Sequence, residues 1–378
     1  MNASRKGRKV LFAAAGVAMA LTALELLTRL ALGLTGRDYA EFRDYNAWVH
    51  RASTAGLPSG YDVEHPLLPY RPEPLSEGVN SHGYRGEEFE WDCRPGVLRI
   101  ACLGGSTTWD NWYPEALEDR MNELMDSLDA PFDSCEVLNF GAQSWTTVES
   151  FVNYATRGVH AGPRIIVVYH AINDALASTI PDGVRPEPDY SHWRTRWNPI
   201  PRPVWDLPPL WLDESRLAGL ARYALNRAAL SGIDPNQLGR CGIRYPYEPG
   251  MGESPFDTFG NNLENIIAVA LNCSTTVFVV SQFHMTELTV EQFGSDDLAR
   301  RVGRINDRAM RLSREYSGTG RVFFLDAADE LRPDRSLMLD NCHFTPEGYR
   351  LLGDWIAVEM CAVLDSLEWR LPEPEDWR

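Results

Sequence analysis

The stretch "LRIACLGGST", Leu98–Thr107, decides the fold that we expect for this chain. Its first half is an apolar run with the length of a buried β-strand, and two glycines and a serine follow at once. Glycine permits tight backbone turns, so a serine in a turn between strand and helix can present its hydroxyl at the carboxyl edge of a sheet. Ser106 is therefore a candidate nucleophile, although "GGST" alone also fits an ordinary turn.

Four similar apolar runs follow and alternate with helical patterns. The predicted strands are residues 98–104, 135–141, 164–170, 275–283 and 321–327, and helices are predicted near 114–129, 146–158, 259–272 and 296–315. A last helix is predicted from Pro346 to Leu367, with Thr345 as its N-cap. This alternation predicts an α/β fold, a three-layer α/β/α sandwich around a five-stranded parallel sheet.

A serine nucleophile needs a base, and the base needs an orienting group. In "DNCHFTPEGY", Asp340 lies three residues before His343, in a loop ahead of the last helix. This spacing lets the carboxylate bond Nδ1 of His343 while Nε2 faces the serine. The same pattern also arises by chance, and many such histidines are surface residues.

Two residues after other strands are candidate donors to an oxyanion. Gly141 lies at the end of the second predicted strand and Asn173 follows the third. A backbone N–H or an asparagine amide stabilises negative charge on a reacting carbonyl oxygen. Turn chemistry is the simpler explanation of both Asn173 and Asp174. The patterns GxxxxGK[ST] and GxGxxG do not occur, so a phosphate loop and a dinucleotide loop are not supported.

The order of these residues along the chain resembles the SGNH (GDSL-type) hydrolase family, from about residue 80 to residue 367. The resemblance implies the flavodoxin-like SGNH hydrolase fold, with a catalytic triad of Ser106, Asp340 and His343. It also implies an oxyanion hole made by Ser106, Gly141 and Asn173, and no cofactor. The lead-in "NSHGYRGEE" looks like a segment of membrane-anchored bacterial members.

The sequence departs from the family pattern at two positions. Gly105 stands where the Gly-Asp-Ser motif has aspartate, and Ala171 stands at the glycine of Gly-x-Asn-Asp. The aspartate is not a triad member, so we expect the chemistry to survive its loss. Alanine at position 171 affects the expected backbone geometry of this segment, whereas the Asn173 side chain is retained.

The amino end has the pattern of a membrane anchor or a signal peptide. Residues 1–9 are a basic start and residues 10–34 are largely apolar, with Glu25 and Arg29 spaced to pair on one helix face. A retained signal-anchor helix is favoured over a cleaved signal peptide or a soluble helix. The basic start then stays cytoplasmic and the catalytic domain lies outside the cytoplasm.

The remaining organisation follows from composition. Residues 35–95 are expected to be a stem and a lead-in, and residues 96–370 the hydrolase domain. An insertion at about residues 176–258 is rich in proline and aromatic residues. Its tryptophans are Trp193, Trp197, Trp205 and Trp211. They would either form a lid or a sugar-stacking wall, or pack the insertion against the surface. Trp109 and Trp112 are candidates for the pocket mouth or for packing.

Other features limit the function. The net charge of −17 argues against nucleic acid as a partner. The seven cysteines form no CxxC pair and no HExxH occurs, so no metal site is expected. His160, His170 and His192 have no acidic partner at a spacing that indicates a site, and His284 is expected to be structural.

The sequence thus favours a serine esterase that hydrolyses an acyl ester, in particular an O-acetyl group on an envelope carbohydrate. One alternative is an O-acetyltransferase that acts on an extracytoplasmic polysaccharide with the same triad. Another is a non-catalytic member that binds glycans. Acyl chain length, oligomeric state and disulfide pairing do not follow from the sequence.

Overall fold

The computed structural model describes residues 2–36, 38–40, 42–43, 46, 62–63, 67–68, 70–178, 215–229 and 254–372. The chain divides into two compact units. One unit comprises Met1–Leu57 and Ile200–Cys241, and the other comprises Pro58–Pro199 and Gly242–Arg378. The predicted boundary at residue 95 and the boundaries of the insertion stay predictions.

The second unit is built around a five-stranded sheet in which every pairing is parallel. Its strands are β1 (Val97–Gly104), β2 (Ser134–Asn139), β3 (Ile165–Tyr169), β4 (Thr276–Val280) and β5 (Val322–Leu325). Their order in the sheet is β2-β1-β3-β4-β5. This is the flavodoxin-like order, in which ligands bind at the carboxyl ends of the strands. The predicted fold class is confirmed.

Helices connect the strands and cover both faces of the sheet. In chain order, the helices of the described residues in both units are α1 (Asn2–Thr35), α2 (Ser106–Trp109), α3 (Trp112–Ser127), α4 (Thr147–Thr156), α5 (Ile172–Ala177), α6 (Arg216–Ala229), α7 (Ser254–Asn272), α8 (Thr286–Phe293), α9 (Asp297–Tyr316), α10 (Ala327–Glu330) and α11 (Pro346–Ser366). Of these, α1 and α6 belong to the first unit and the others to the second. As predicted, α11 begins with a proline, and Thr345 Oγ1 accepts a hydrogen bond from the Gly348 N–H at 3.2 Å.

Two hydrophobic cores lie on opposite faces of the sheet, because successive strand side chains point to opposite sides. In β1, Ala101 and Leu103 contribute to the core shared with α4, α7 and α9. Ile100 and Cys102 contribute to the core shared with α3 and α11. Cys102 is fully buried, as the apolar strand pattern predicts. The six cysteines among the described residues are free thiols.

The lead-in before β1 packs on the sheet. Tyr84 and Phe89 are buried in the first of these cores. Arg99 of β1 is also buried, and its guanidinium contacts Glu136 at 2.6 Å. It donates further hydrogen bonds to the carbonyl oxygens of Trp91 at 3.0 Å and Ala161 at 2.6 Å. The arginine therefore ties the lead-in and the neighbouring strand to β1.

The first unit contains the apolar amino-terminal helix. Within α1, the segment Phe12–Thr35 is 24 residues long and apolar enough to cross a membrane by length and composition. It is a candidate membrane anchor or signal sequence, since a signal sequence near the amino terminus has the same properties.

Glu25 of α1 holds the amino end of α6 within this unit. Its carboxylate accepts hydrogen bonds from Ser215 Oγ at 2.8 Å, the Arg216 N–H at 3.0 Å and the Leu217 N–H at 2.9 Å. These contacts satisfy N–H groups that have no partner inside α6. The predicted pair with Arg29 is also present, at 2.8 Å.

Candidate active site

Ser106 is the first residue of α2, and a single residue, Gly105, separates it from the end of β1. The chain turns there through Gly104 and Gly105. A Cβ atom at Gly105 would lie 2.5 Å from Asn173 Nδ2 and 3.0 Å from the Trp145 carbonyl oxygen. A larger residue at position 105 would therefore require Asn173 or the Trp145 backbone to shift.

The Asp340–His343 segment forms a tight loop ahead of α11. Met338 and Phe344 form an antiparallel bridge at its base, and the Leu339 N–H donates to the His343 carbonyl oxygen at 2.8 Å. Asp340 Oδ1 accepts hydrogen bonds from the backbone N–H of Cys342 and of His343, at 2.9 and 2.7 Å. The carboxylate is therefore fixed by the backbone of its own loop.

Three of the predicted residues form one continuous hydrogen-bond chain. His343 Nδ1 donates to Asp340 Oδ2 at 2.8 Å, and Ser106 Oγ donates to His343 Nε2 at 2.8 Å. The side chains of His343 and Asp340 are 26% and 38% exposed, so solvent reaches this chain. Such an arrangement can move the serine proton to the imidazole as the hydroxyl oxygen attacks an electrophile.

The Asp340 carboxylate stabilises the charged form of the imidazole relative to the neutral form that accepts the hydrogen bond from Ser106. Burial acts to raise the pKa of Asp340, but hydrogen bonds from the His343 side chain and from the loop backbone outweigh burial and lower this pKa to about 2. Burial acts to lower the pKa of His343, but its bonds to Asp340 and Cys342 hold the pKa above the usual value. The aspartate thus stabilises the imidazolium that proton transfer would form.

The oxyanion candidates lie around the Ser106 turn. Asn173 Nδ2 donates to the Trp145 carbonyl oxygen at 2.8 Å, and the amide has a second hydrogen. Ser106 begins α2, so its N–H has no acceptor inside that helix. The Gly141 N–H donates to Asn139 Oδ1 at 2.9 Å and is engaged within the protein. The predicted oxyanion roles of these residues stay predictions.

Sequence reasoning missed two buried side-chain amides that contact the Ser106 turn. Asn139 is the last residue of β2 and bonds to Thr108, and Gln282 follows β4 and bonds to Thr107. Each lies at the carboxyl end of a strand or shortly after it, as Gly141 and Asn173 do. Their position near a strand end is the sequence signal from which they could have been predicted.

One expectation about the other histidines is wrong. His170 has an acidic partner, because its Nδ1 lies 3.8 Å from Asp174 Oδ2 four residues along the chain, and its Nε2 contacts Ser150 Oγ at 2.8 Å. This second Ser-His-Asp set is buried, which lowers the pKa of His170 to about 4 and raises that of Asp174 to about 7. The set joins α4 to α5. His284 contacts Thr289 Oγ1 at 2.7 Å.

A metal-ligand spacing occurs within the same loop. Asp340, Cys342 and His343 each offer a ligand atom within 4.8 Å of the others. Both ring nitrogens of His343 are already engaged, by Asp340 and by Ser106. Two of the three residues, Asp340 and His343, thus belong to the hydrogen-bond chain itself, and they fit proton transfer better than metal binding.

The tryptophans divide between described and undescribed parts of the chain. Trp109 is buried beside Arg85, whose guanidinium lies 5.1 Å from the ring centroid, and is therefore a packing residue. Trp112 is 39% exposed at the start of α3. The four tryptophans of the predicted insertion, Trp193, Trp197, Trp205 and Trp211, lie outside the described residues, as does His192.

Comparison with known proteins finds similar solved structures at low sequence identity. Neither a protein-family model nor a curated protein matches this sequence. A lipase/acylhydrolase from Enterococcus faecalis is 15% identical with a TM-score of 0.38, and the match covers 73% of this chain and 98% of that chain. A GDSL-like lipase from Bacteroides thetaiotaomicron is 10% identical with a TM-score of 0.39, and the match covers 74% of this chain and 93% of that chain.

An acetylxylan esterase from Geobacillus stearothermophilus, solved as a catalytic mutant, is 12% identical with a TM-score of 0.40, over 70% of this chain and 94% of that chain. Similarity at this level carries no argument about function. The chemistry of this chain therefore rests on its own side chains.

Proposed function

We propose that this chain is a serine hydrolase of the SGNH (GDSL) type that cleaves an acyl ester. The observation that carries the proposal is the hydrogen-bond chain from Ser106 through His343 to Asp340, with both contacts at 2.8 Å. Each residue has the chemistry that its role requires, and the three come from opposite ends of the domain sequence to one edge of the sheet.

In the proposed mechanism, Ser106 Oγ attacks the ester carbonyl while His343 Nε2 takes the serine proton. Asp340 holds the imidazole in the tautomer that accepts at Nε2 and stabilises the imidazolium. The oxyanion is stabilised by the Ser106 N–H and the Asn173 amide, with the Gly141 N–H as a further donor if it leaves Asn139. His343 then protonates the departing alcohol, and water hydrolyses the acyl-enzyme by the reverse path.

We further propose that the substrate is an O-acetyl ester on an envelope carbohydrate and that α1 is a signal anchor. The candidate membrane span in α1 supports this placement. The basic residues of positions 1–9 precede the span, so the catalytic domain would lie outside the cytoplasm. In this organisation residues 35–95 serve as stem and lead-in to the domain at residues 96–370.

The test is hydrolysis of p-nitrophenyl acetate by the Ser106→Ala variant. We expect kcat to fall about 10⁴-fold or more, because the nucleophile is lost. Ser150→Ala is the matched control, since it removes the serine of the buried Ser-His-Asp set, and we expect its kcat to stay within about threefold of wild type. Equal turnover of Ser106→Ala and wild type would refute the nucleophile.

Acyl transfer is distinguished from hydrolysis in the same assay. Adding an oligosaccharide acceptor to the wild type and analysing the products by mass spectrometry separates free acetate from acetylated sugar. A hydrolase gives acetate as the main product at all acceptor concentrations. Acetylated sugar as the main product would replace the proposed hydrolase with a transferase that uses the same serine.

A further inference from the structure

The turn that carries Ser106 is held on one side by Asn139, at the end of β2. Asn139 Nδ2 donates to the Thr108 carbonyl oxygen at 2.7 Å and to Asn111 Oδ1 at 2.9 Å. Its Oδ1 accepts the Gly141 N–H at 2.9 Å. One side-chain amide therefore joins the end of α2 to the segment that follows the neighbouring strand.

Gln282 holds the same turn from the other side. Its Nε2 donates to Thr107 Oγ1 at 3.2 Å, and its Oε1 accepts the Ile172 N–H at 2.7 Å. Ile172 precedes Asn173. The backbone of Gln282 is itself fixed by Asn306, whose side chain accepts from the Gln282 N–H and donates to the Gln282 carbonyl oxygen, both at 3.0 Å.

Both amides are shielded from water, with Asn139 3% and Gln282 1% exposed. A buried polar group whose donors and acceptors are satisfied is held in one geometry, because losing a partner leaves an uncompensated group in the interior. The two side chains therefore act as fixed spacers between α2 and the segments on either side of it.

We infer that Asn139 and Gln282 are positioning residues that set the nucleophile turn against the two oxyanion segments. The inference rests on the proposed function. Both residues act through the backbone and side chains next to Ser106 and Asn173. A displacement of about 1 Å at a reacting group lowers a rate about 100-fold, so losing these contacts should affect kcat more than substrate binding.

The variants are Asn139→Asp and Gln282→Met. Aspartate at 139 keeps an acceptor for the Gly141 N–H, but its second oxygen faces the Thr108 carbonyl oxygen and Asn111 Oδ1, so two attractive contacts become repulsive. Methionine at 282 removes both hydrogen bonds at similar volume. For each variant we expect kcat for p-nitrophenyl acetate to fall about 100-fold with KM within about threefold. Fluorophosphonate labelling of Ser106 should slow in parallel.

Asn122→Asp is the matched control. Asn122 Nδ2 donates to the carbonyl oxygens of Glu118 at 2.9 Å and Cys135 at 3.2 Å, and its Oδ1 accepts the Cys135 N–H at 2.8 Å. It thus links α3 and β2 with the same bonding pattern, at the end of β2 away from Ser106. We expect this variant to lose stability while its kcat per folded molecule stays near wild type.

Thermal unfolding of every variant separates folding from positioning. Wild-type kcat in folded Asn139→Asp and in Gln282→Met would overturn the inference, as would an equal fall of kcat in Asn122→Asp. Gln282→Met keeps the question decidable if Asn139→Asp does not fold. Absence of labelling in the wild type would refute the proposed function itself, and is thereby distinct from a failure of the positioning role.

Discussion

Replacing Asp340 with asparagine tests the electrostatic part of the site at constant shape. Asparagine Oδ1 can still accept the two backbone N–H groups that Asp340 holds at 2.9 and 2.7 Å, so the loop should persist. Its Nδ2 then faces His343 Nδ1 at the position of an oxygen now 2.8 Å away. Because an amide nitrogen only donates, Nδ1 must become the acceptor and Nε2 must carry the proton. The imidazole then cannot accept the proton of Ser106.

The expected loss is large. A wrong tautomer of this kind lowers kcat about 10⁴-fold, which corresponds to about 5 kcal/mol of transition-state stabilisation. The side chains of Asp340 and His343 are 38% and 26% exposed, so solvent weakens their electrostatic interaction. We therefore expect kcat to fall by at least about 10³-fold. Steady-state hydrolysis of p-nitrophenyl acetate measures it. Asp334→Asn is the control, because Asp334 only caps a short surface turn through the Ser336 N–H.

The pH profile supplies a second readout of the same variant. The base acts when His343 is neutral, so kcat/KM rises with pH through its pKa. Asp340 holds that pKa above the usual value. The rise of kcat/KM in the wild type should therefore occur at a higher pH than the pKa of an unperturbed histidine. In Asp340→Asn the residual activity should rise at lower pH. A loss below about tenfold, with the rise of kcat/KM at an unchanged pH, would refute the assigned role of Asp340.

Three further variants test individual contacts. Gly105→Ala places a Cβ 2.5 Å from Asn173 Nδ2. We expect kcat in the same ester assay to fall about 100-fold while the protein stays folded, and wild-type activity would contradict the close approach. Arg99→Met leaves Glu136 without its partner and should lower the free energy of unfolding by about 3 kcal/mol in urea titration, whereas an unchanged midpoint would show that the pair is dispensable. Thr345→Ala removes the N-cap of α11 and should cost about 1 kcal/mol in the same titration; a loss below about 0.3 kcal/mol would contradict the cap.

The strands could be predicted from sequence because each is a short apolar run between helices. The observed bounds differ from the predicted ones by a few residues at the ends, for instance Ser134–Asn139 against residues 135–141. The start of α11 was predictable from Thr345 and Pro346, since a cap and a first-turn proline are local signals. The parallel sheet followed from the alternation of strands and helices, whereas the flavodoxin-like strand order was implied only by the family resemblance.

The candidate site could be predicted only for residue types that have a well-known catalytic role. Ser106, Asp340 and His343 follow strands and match a motif order, and the structure brings them together. Asn139 and Gln282 were missed because an amide's partners are set by tertiary structure: both contact residues that lie far away in the sequence. The partner of His170 was missed because Asp174 was weighed only as a turn residue.

The central claim is that Ser106 is a nucleophile activated by His343. Labelling the folded wild-type protein with a fluorophosphonate and mapping the adduct by mass spectrometry tests it most directly. The account predicts one adduct, on the peptide that carries Ser106, with labelling absent in Ser106→Ala and strongly slowed in His343→Ala. No adduct on Ser106, or equal labelling rates with and without His343, would contradict it.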